Sequence, residues 1–217
     1  MKKTLLPLLL LPALASADIY IIPGFSGGMM TYDNGDIDYK SGSTALNLTV
    51  AHDSGFYIDG EYREDDDDGQ GITRSASVFT AGKRFSTYDI TAFIGHQSSE
   101  TSSLGDKDID EEDIVFDNSG MFIGLNKGFP TGERSKVSTH IAYGQMDIDR
   151  SVEINNSKTE TTGTSNGYSA GIAYSHSFKN NVGLSLGGKL QDYQKDGDLE
   201  SERISLLYFR VSYQIGL

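Results

Sequence analysis

The feature that most constrains this fold is a strict alternation of side-chain type over the last eleven residues. The apolar positions are Leu207, Phe209, Val211, Tyr213, Ile215 and Leu217. The positions between them are mixed and include Arg210, Ser212 and Gln214. Successive side chains of a β-strand point to opposite faces, so a period of two places all the apolar residues on one face. The pattern predicts a strand that runs to the last residue of the chain.

Segments with the same period recur through the chain, and none has the 3.6-residue apolar period of an amphipathic helix. The clear ones begin at Leu46, Phe56, Tyr88, Val137, Tyr168 and Val182. Three further segments, 19–32, 75–83 and 121–128, alternate less cleanly. Pro23 cannot donate to a strand ladder and predicts a late start or a bulge in the first of them. We expect an all-β chain of ten strands, or of eight if the weaker segments merge or drop out.

The connections between these segments alternate between short and long. The short ones are 53–55, 85–87, 130–133 and 179–181, and the long ones are 33–42, 64–72, 98–113, 147–162 and 196–201. Short periplasmic turns with long extracellular loops are typical of a closed, antiparallel, up-and-down transmembrane β-barrel. Closure pairs every backbone amide within the lipid and removes the sheet edges. The alternative is a soluble lipocalin-like barrel or a sandwich, in which the same alternation is turned inside out.

The first 17 residues have the pattern of a secretory signal peptide. Lys2 and Lys3 give a positive start, 5–14 form an apolar core, and 15–17 are small residues that suit cleavage. The apolar core is too short to span a bilayer as a helix. We therefore expect residues 1–17 to be a signal peptide for export and residues 18–217 to form the barrel.

Composition excludes several classes of protein. The chain has no cysteine, which excludes disulfides, thiolate metal sites and cysteine nucleophiles. Its formal charge of −13 argues against nucleic-acid partners, whose phosphates require a basic surface. A mean hydropathy of −0.36 excludes a bundle of membrane-spanning helices. The 25 glycines, 12 tyrosines and 10 phenylalanines are typical of a β-barrel or sandwich.

Taken together, the signal peptide, the alternating strands, the unequal connections and the final strand resemble the small outer-membrane β-barrels of Gram-negative bacteria, of the OmpA-transmembrane, OmpX and opacity-protein type. The resemblance implies a monomeric, integral outer-membrane protein that contacts lipid and lipopolysaccharide. It also implies insertion by the barrel assembly machinery, with the last strand as its signal. The residues that would carry this signal are Phe209, Val211, Tyr213, Ile215 and Leu217, although the family usually ends on Phe or Trp.

Acidic residues concentrate in the long connections, which together with Glu202, just beyond the last of them, hold 23 of the 31 acids in the chain. Such a rim concentrates cations, and carboxylates at alternate positions suit hard divalent ions. We therefore expect loose Ca²⁺ or Mg²⁺ association, bridging to lipopolysaccharide phosphates, but no firm metal site and no cofactor. The candidate ligands are Asp65, Asp66, Asp67, Asp68, Asp106, Asp108, Asp110 and Asp113. The alternative is that these acids only keep mobile loops solvated.

The mixed face of the predicted strands carries charges of both signs that would point into a barrel lumen. These are Asp59, Glu61, Arg63, Lys189 and Arg210. In a narrow ten-stranded barrel such side chains can meet and close the centre. Burying them without partners is costly, so we expect them to form a paired network. The alternative is a permanently open channel with these residues at its constriction.

Three functions follow from this sequence. The first is a non-enzymatic surface barrel that acts in envelope integrity, adhesion or cation association through its acidic loops. The second is a small cation-preferring pore. The third is a barrel enzyme that modifies lipid A or cleaves proteins, which would require His96 or His140 within hydrogen-bond reach of an acid. The sequence contains no recognisable catalytic motif and predicts no catalytic residue.

Overall fold

A computed structural model describes residues 18–35, 37–67, 71–103, 113–154, 157–195 and 201–217. Several of the predictions concern residues outside these ranges. They are the signal peptide 1–17 and the candidate cation ligands Asp68, Asp106, Asp108 and Asp110. Within the described ranges, no helical stretch has the length and hydropathy needed to cross a membrane.

The described chain is almost entirely β-strand. The strands are β1 (Ile19–Asp33), β2 (Asp38–His52), β3 (Phe56–Asp67), β4 (Ile72–Phe85), β5 (Ile90–Ser103), β6 (Asp113–Gly132), β7 (Ser135–Ile154), β8 (Ser157–Ser177), β9 (Val182–Lys195), β10 (Glu202–Tyr213) and the short β11 (Ile215–Gly216). Each strand pairs antiparallel with its neighbour in sequence, and β10 pairs with β1 to close the barrel. Both β10 and β11 pair with β1, so they occupy one strand position and the barrel has ten strands around its circumference. The predicted ten-stranded barrel is confirmed.

Strand β1 runs without interruption through Pro23, which lies opposite Leu48 of β2. The predicted late start or bulge is therefore wrong. The proline removes a single N–H from the ladder, and β1 is held by partners on both sides. An irregularity in register occurs elsewhere, between Pro130 and Gly132 at the end of β6.

The lower part of the barrel, next to the short turns, is apolar on its outside. Leu46, Ile123, Ile141 and Leu207 point outward and are 62–67% exposed. A soluble barrel would bury this face, so the soluble alternative is wrong. We call this part the membrane section, because its outer face suits lipid and its inner face carries the polar residues.

Glycines on the inner wall of the membrane section make room for aromatic rings of the adjacent strand. A Cβ atom on Gly82 would lie 2.6 Å from the ring of Tyr57, and one on Gly124 would lie 2.4 Å from the ring of Phe93. Such contacts between rings and glycines are a known way to pin strand register. The rings therefore fill space at the wall instead of the centre of the lumen.

Above the apolar belt the alternation continues with its phase reversed. On β7, Met146 and Ile148 point inward and are buried, while Asp147 and Asp149 point outward. Inward residues of several strands, together with Ile37 from the connection between β1 and β2, form one buried cluster: Met30, Tyr32, Ile37, Tyr39, Ile72, Phe116, Ile148, Ile204 and Leu206. We call this part of the barrel the extracellular section, because it lies away from the short turns.

The strands reach well into the regions expected to be long loops. β7 extends to Ile154 and β8 begins at Ser157, so most of the expected loop 147–162 is strand. Likewise β3 includes Asp65, Asp66 and Asp67. Expecting these as loop residues was wrong. Pairing continues because a water-exposed strand needs only its inward positions to be apolar.

Candidate functional site

The five charged residues predicted to face the lumen line one internal cavity of about 190 Å³. Asp59, Glu61 and Arg63 are successive inward positions of β3, which a period of two directs to the same side. Lys189 reaches the cavity from β9, and Arg210 reaches it from β10. Closure of the barrel brings these three strands around a common centre, although they are distant in sequence.

The acids of this cluster are held by direct contacts. Arg63 donates from Nη2 to Glu61 Oε1 at 2.7 Å and from Nη1 to Ser43 Oγ at 2.8 Å. The amide of Asn47 donates to the second oxygen of Glu61 at 3.4 Å. Thr49 Oγ1 donates to the carboxylate of Asp59. Glu61 and Arg63 therefore form an ion pair, as predicted for charges buried in the lumen.

Lys189 and Arg210 do not join this network. Among the described residues, neither makes an ion pair or a side-chain hydrogen bond, although both line the cavity. Of the five charges expected to pair, direct ion pairing is therefore seen only between Glu61 and Arg63 in the described part of the chain. Glu61 interacts electrostatically with both Lys189 and Arg210, and Asp59 interacts with Arg210, but neither acid forms an ion pair within 4 Å with these two cations.

The buried cluster of the extracellular section closes the cavity from above. Met30, Ile204 and Leu206 belong to the cluster and also line the cavity. Above them, the rings of Tyr32 and Tyr39 pack with their centroids 5.4 Å apart. We call the cluster the plug, because its apolar side chains fill the lumen where the barrel leaves the membrane.

An ion pair that the sequence did not reveal lies inside the plug. Arg74 Nη1 contacts Asp65 Oδ2 at 3.1 Å, and the two side chains are 3% and 0% exposed. Asp65 was expected as a cation ligand in a loop, and its burial against Arg74 corrects that expectation. Burial disfavours the charge on Arg74, but the Glu202 and Asp65 carboxylates outweigh burial and raise the pKa of the guanidinium.

Glu202, which lies just beyond the expected connection 196–201, is a second buried acid. Its Oε2 accepts a hydrogen bond from Asn118 Nδ2 at 2.7 Å, across the barrel from β6 to β10. The sequence does contain a signal for this position. Glu202, Ile204 and Leu206 are alternate residues of β10 and all point inward. Extending the predicted last strand back to residue 202 would therefore have placed Glu202 inside the barrel.

The remaining candidate cation ligands in the described ranges are Asp66, Asp67 and Asp113. Asp66 is exposed on the outer face of β3, whereas Asp67 and Asp113 are partly buried at strand ends. Within the described ranges, no three acidic or histidine side chains converge as a metal site would require. Loose divalent-cation association stays a prediction.

The two histidines considered for catalysis lie on opposite faces of the wall. His96 points outward and contacts Ser119 Oγ at 3.2 Å. His140 points inward, lines the cavity and lies 3.4 Å from Ser169 Oγ. Neither has a carboxylate within hydrogen-bond distance in the described part of the chain.

Below the cavity the lumen widens into a periplasmic mouth of about 800 Å³. Asp59, His140 and Arg210 line both the cavity and the mouth, so they form the boundary between the two spaces. Lys136 and Arg84 add positive charge at the mouth. The lumen is therefore reached from the short-turn side and is closed by the plug on the other.

The residues proposed as the assembly signal form one stripe on the outer face of the last strand. Phe209, Val211, Tyr213, Ile215 and Leu217 are all exposed there. An exposed apolar stripe is available to lipid or to a docking partner. Its recognition by the assembly machinery stays a prediction.

Comparison with known proteins gives matches in structure only. The outer-membrane protease OmpT from Escherichia coli superposes with a TM-score of 0.60 at 11% identity, over 92% of this chain and 97% of that one. The translocator domain of the autotransporter NalP from Neisseria meningitidis gives a TM-score of 0.53 at 11% identity, over 94% and 92%. No protein-family profile and no curated protein sequence matches this chain.

Identities this low carry information on fold and not on activity. Both proteins superpose on most of the closed antiparallel barrel described here, and one is a protease whereas the other is a translocator domain. Together with the apolar outer belt and the polar lumen, they define the class of this chain. By fold, it is a small ten-stranded β-barrel of the Gram-negative outer-membrane type.

Proposed function

We propose that this protein is a non-enzymatic surface barrel whose lumen does not conduct and whose extracellular section acts at the cell surface, in envelope integrity, adhesion or cation association. The observation that carries the proposal is the plug. Tyr32 and Phe116 are fully buried within it, and its lower members form the roof of the lumenal cavity. In this proposal, residues 1–17 direct export and the mature barrel is a monomer in outer-membrane lipid.

The outer face of the extracellular section supports a surface role. Asp147, Asp149 and Glu153 are alternate outward residues of β7, and Asp117 and Glu100 lie opposite each other on β6 and β5. Carboxylates spaced along a rigid ladder create a negative potential that attracts divalent cations. Such cations can bridge to the phosphates of neighbouring lipopolysaccharide, which gives the acids a role in holding the envelope together.

Single-channel recording in a planar bilayer tests the closed lumen. We expect folded wild-type protein to give no conductance steps, with or without millimolar Ca²⁺. The double variant Phe116→Ala/Ile148→Ala, which empties part of the plug, should give discrete steps, whereas Ile123→Ala on the outer face should stay silent. Steady conductance of the wild-type protein would contradict the proposal.

Envelope permeability tests the surface role. Cells that lack the protein should become more sensitive to EDTA and detergent, and the wild-type gene should restore resistance. The triple variant Asp147→Asn/Asp149→Asn/Glu153→Gln should insert normally but restore less. Its matched control is Asp53→Asn in a periplasmic turn, which should restore resistance fully. Full rescue by the triple variant would argue against a role for these acids.

A small pore is the second candidate function, and one observation favours it. The mouth and the cavity form a polar space through much of the membrane section, lined by charged residues such as Asp59 and Arg210. Conduction would require the plug to move aside. The bilayer recording decides between the two functions, and its reversal potential under a salt gradient would give the ion preference.

A further inference from the structure

The central cavity holds more positive than negative charge close to its centre. Its lining includes four cations and two acids: Arg63, Arg74, Lys189, Arg210, Asp59 and Glu61. Arg63 is occupied by Glu61, and Arg74 at the roof is occupied by Asp65. Among the described residues, this pairing leaves Lys189 and Arg210 without a direct partner. The one remaining carboxylate is Asp59, which already accepts a hydrogen bond from Thr49.

Cations enclosed in this way favour a counter-ion. A charge that is removed from bulk water and lacks a partner is costly, and the cost falls when an opposite charge binds beside it. The internal acids supply only part of this charge, because Glu61 is held by Arg63 and Asn47 and Asp59 is a single carboxylate for two cations. A bound anion can supply the rest, since an ammonium and a guanidinium together offer several donors to oxyanion oxygens.

The cavity has a suitable size and one way in. At about 190 Å³ it holds roughly six waters at about 30 Å³ each, which leaves space for a tetrahedral oxyanion with some solvent. Above the cavity, the lumen is closed by Met30, Ile204 and Leu206 and by Arg74, which is paired with Asp65. The approach is from the periplasmic mouth, where Lys136 adds positive charge before the boundary formed by His140 and Arg210.

We propose that this cavity is a binding site for a small periplasmic oxyanion of the phosphate type, held by Lys189 and Arg210. The site lies below the plug and is independent of the surface role proposed above. It also separates the two ends of the molecule by charge: the extracellular surface attracts cations, whereas the lumen takes an anion from the other side.

Isothermal titration of folded protein in detergent with inorganic phosphate tests the site, at constant ionic strength set by sodium chloride. We expect saturable binding that Lys189→Met and Arg210→Gln each weaken by at least tenfold. Glu61→Gln should strengthen binding several-fold, because it removes a competing negative charge. Arg203→Gln, an exposed cation 3.4 Å from Asp192 on the outer face, is the matched control and should bind like wild type.

The expected signs differ between variants, so a general loss of folding cannot imitate the result. Folding of each variant is checked by the shift in gel migration between unboiled and boiled samples. Thermal unfolding gives a second readout, since a ligand that binds only the folded state raises its stability with concentration. Absence of a phosphate effect beyond that of chloride would overturn the proposal. Equal weakening by Arg203→Gln, or weaker binding by Glu61→Gln, would overturn it as well.

Discussion

The membrane section and the extracellular section are built from the same ten strands, but their apolar side chains lie on opposite sides of the barrel wall. In the first, Ile141 and Leu207 face outward and charges such as Glu61 face the lumen. In the second, Ile148 and Ile204 face inward and acids such as Asp149 face outward. The period of two is unchanged, and only its phase differs. The comparison teaches that the surrounding solvent, lipid or water, decides which phase is stable at each height of one continuous barrel.

Truncating a phenylalanine is expected to destabilise the plug much more than the outer face of the membrane section, which is the largest difference expected between the two sections. Phe116 is fully buried, whereas Phe79 is 55% exposed on the outer face of the membrane section. Phe116→Ala should lower the free energy of unfolding by about 3–5 kcal/mol, because it leaves a cavity in a packed core. Phe79→Ala should cost much less, since lipid or detergent fills the space. Urea unfolding in detergent compares the two, and equal losses would remove the distinction between the sections.

The buried ion pair of the plug is the next test. Asp65→Asn should destabilise the protein by about 3 kcal/mol, because Arg74 then keeps its charge in a buried site with less compensation. The double variant Asp65→Leu/Arg74→Met should recover most of that loss, since it removes both charges and keeps apolar volume. The measurement is a double-mutant cycle in urea. Independent, additive losses would indicate that the two side chains do not act as a pair.

The stability cost of placing a charge on the outer face should also differ between the two sections. Ile141→Arg faces lipid and should cost about 2–4 kcal/mol if it lies near the bilayer centre. Thr162→Arg lies opposite Asp149 in the extracellular section and should be neutral or slightly favourable. Unfolding from lipid vesicles is the appropriate measurement, because detergent tolerates charges better than a bilayer. A similar cost at both positions would mean that lipid also covers the outer face of the extracellular section.

Sequence pattern predicted the barrel well because period-two alternation and turn spacing are local properties. It predicted the inward positions of Asp59, Glu61, Arg63, Lys189 and Arg210 for the same reason. It failed above the membrane, where Asp147 and Asp149 suggested a solvated loop although Met146 and Ile148 alternate with them. It also could not identify the Arg74–Asp65 or Asn118–Glu202 contacts, since those depend on which strands face each other across the closed lumen.

The smallest expected effect concerns a tyrosine of the plug and its dependence on pH. Tyr39 is 2% exposed, and its hydroxyl has no hydrogen-bond partner among the described residues. Burial raises the pKa of Tyr39 well above its ordinary value near 10, and Arg74 offsets this only in part. The folded state thus holds the proton more tightly than the unfolded chain does. Stability is therefore fully present below about pH 10 and declines as the pH rises further.

Tyr39→Phe should make the alkaline decline shallower, because it removes one group that the unfolded chain deprotonates first. At neutral pH the variant should be as stable as wild type or more stable by up to about 1 kcal/mol, since it removes a buried hydroxyl without a partner. Urea unfolding at pH 8 and pH 11 measures both effects. A decline as steep as that of the wild-type protein would mean that Tyr39 is reached by water, and that the plug is less tightly packed than its burial indicates.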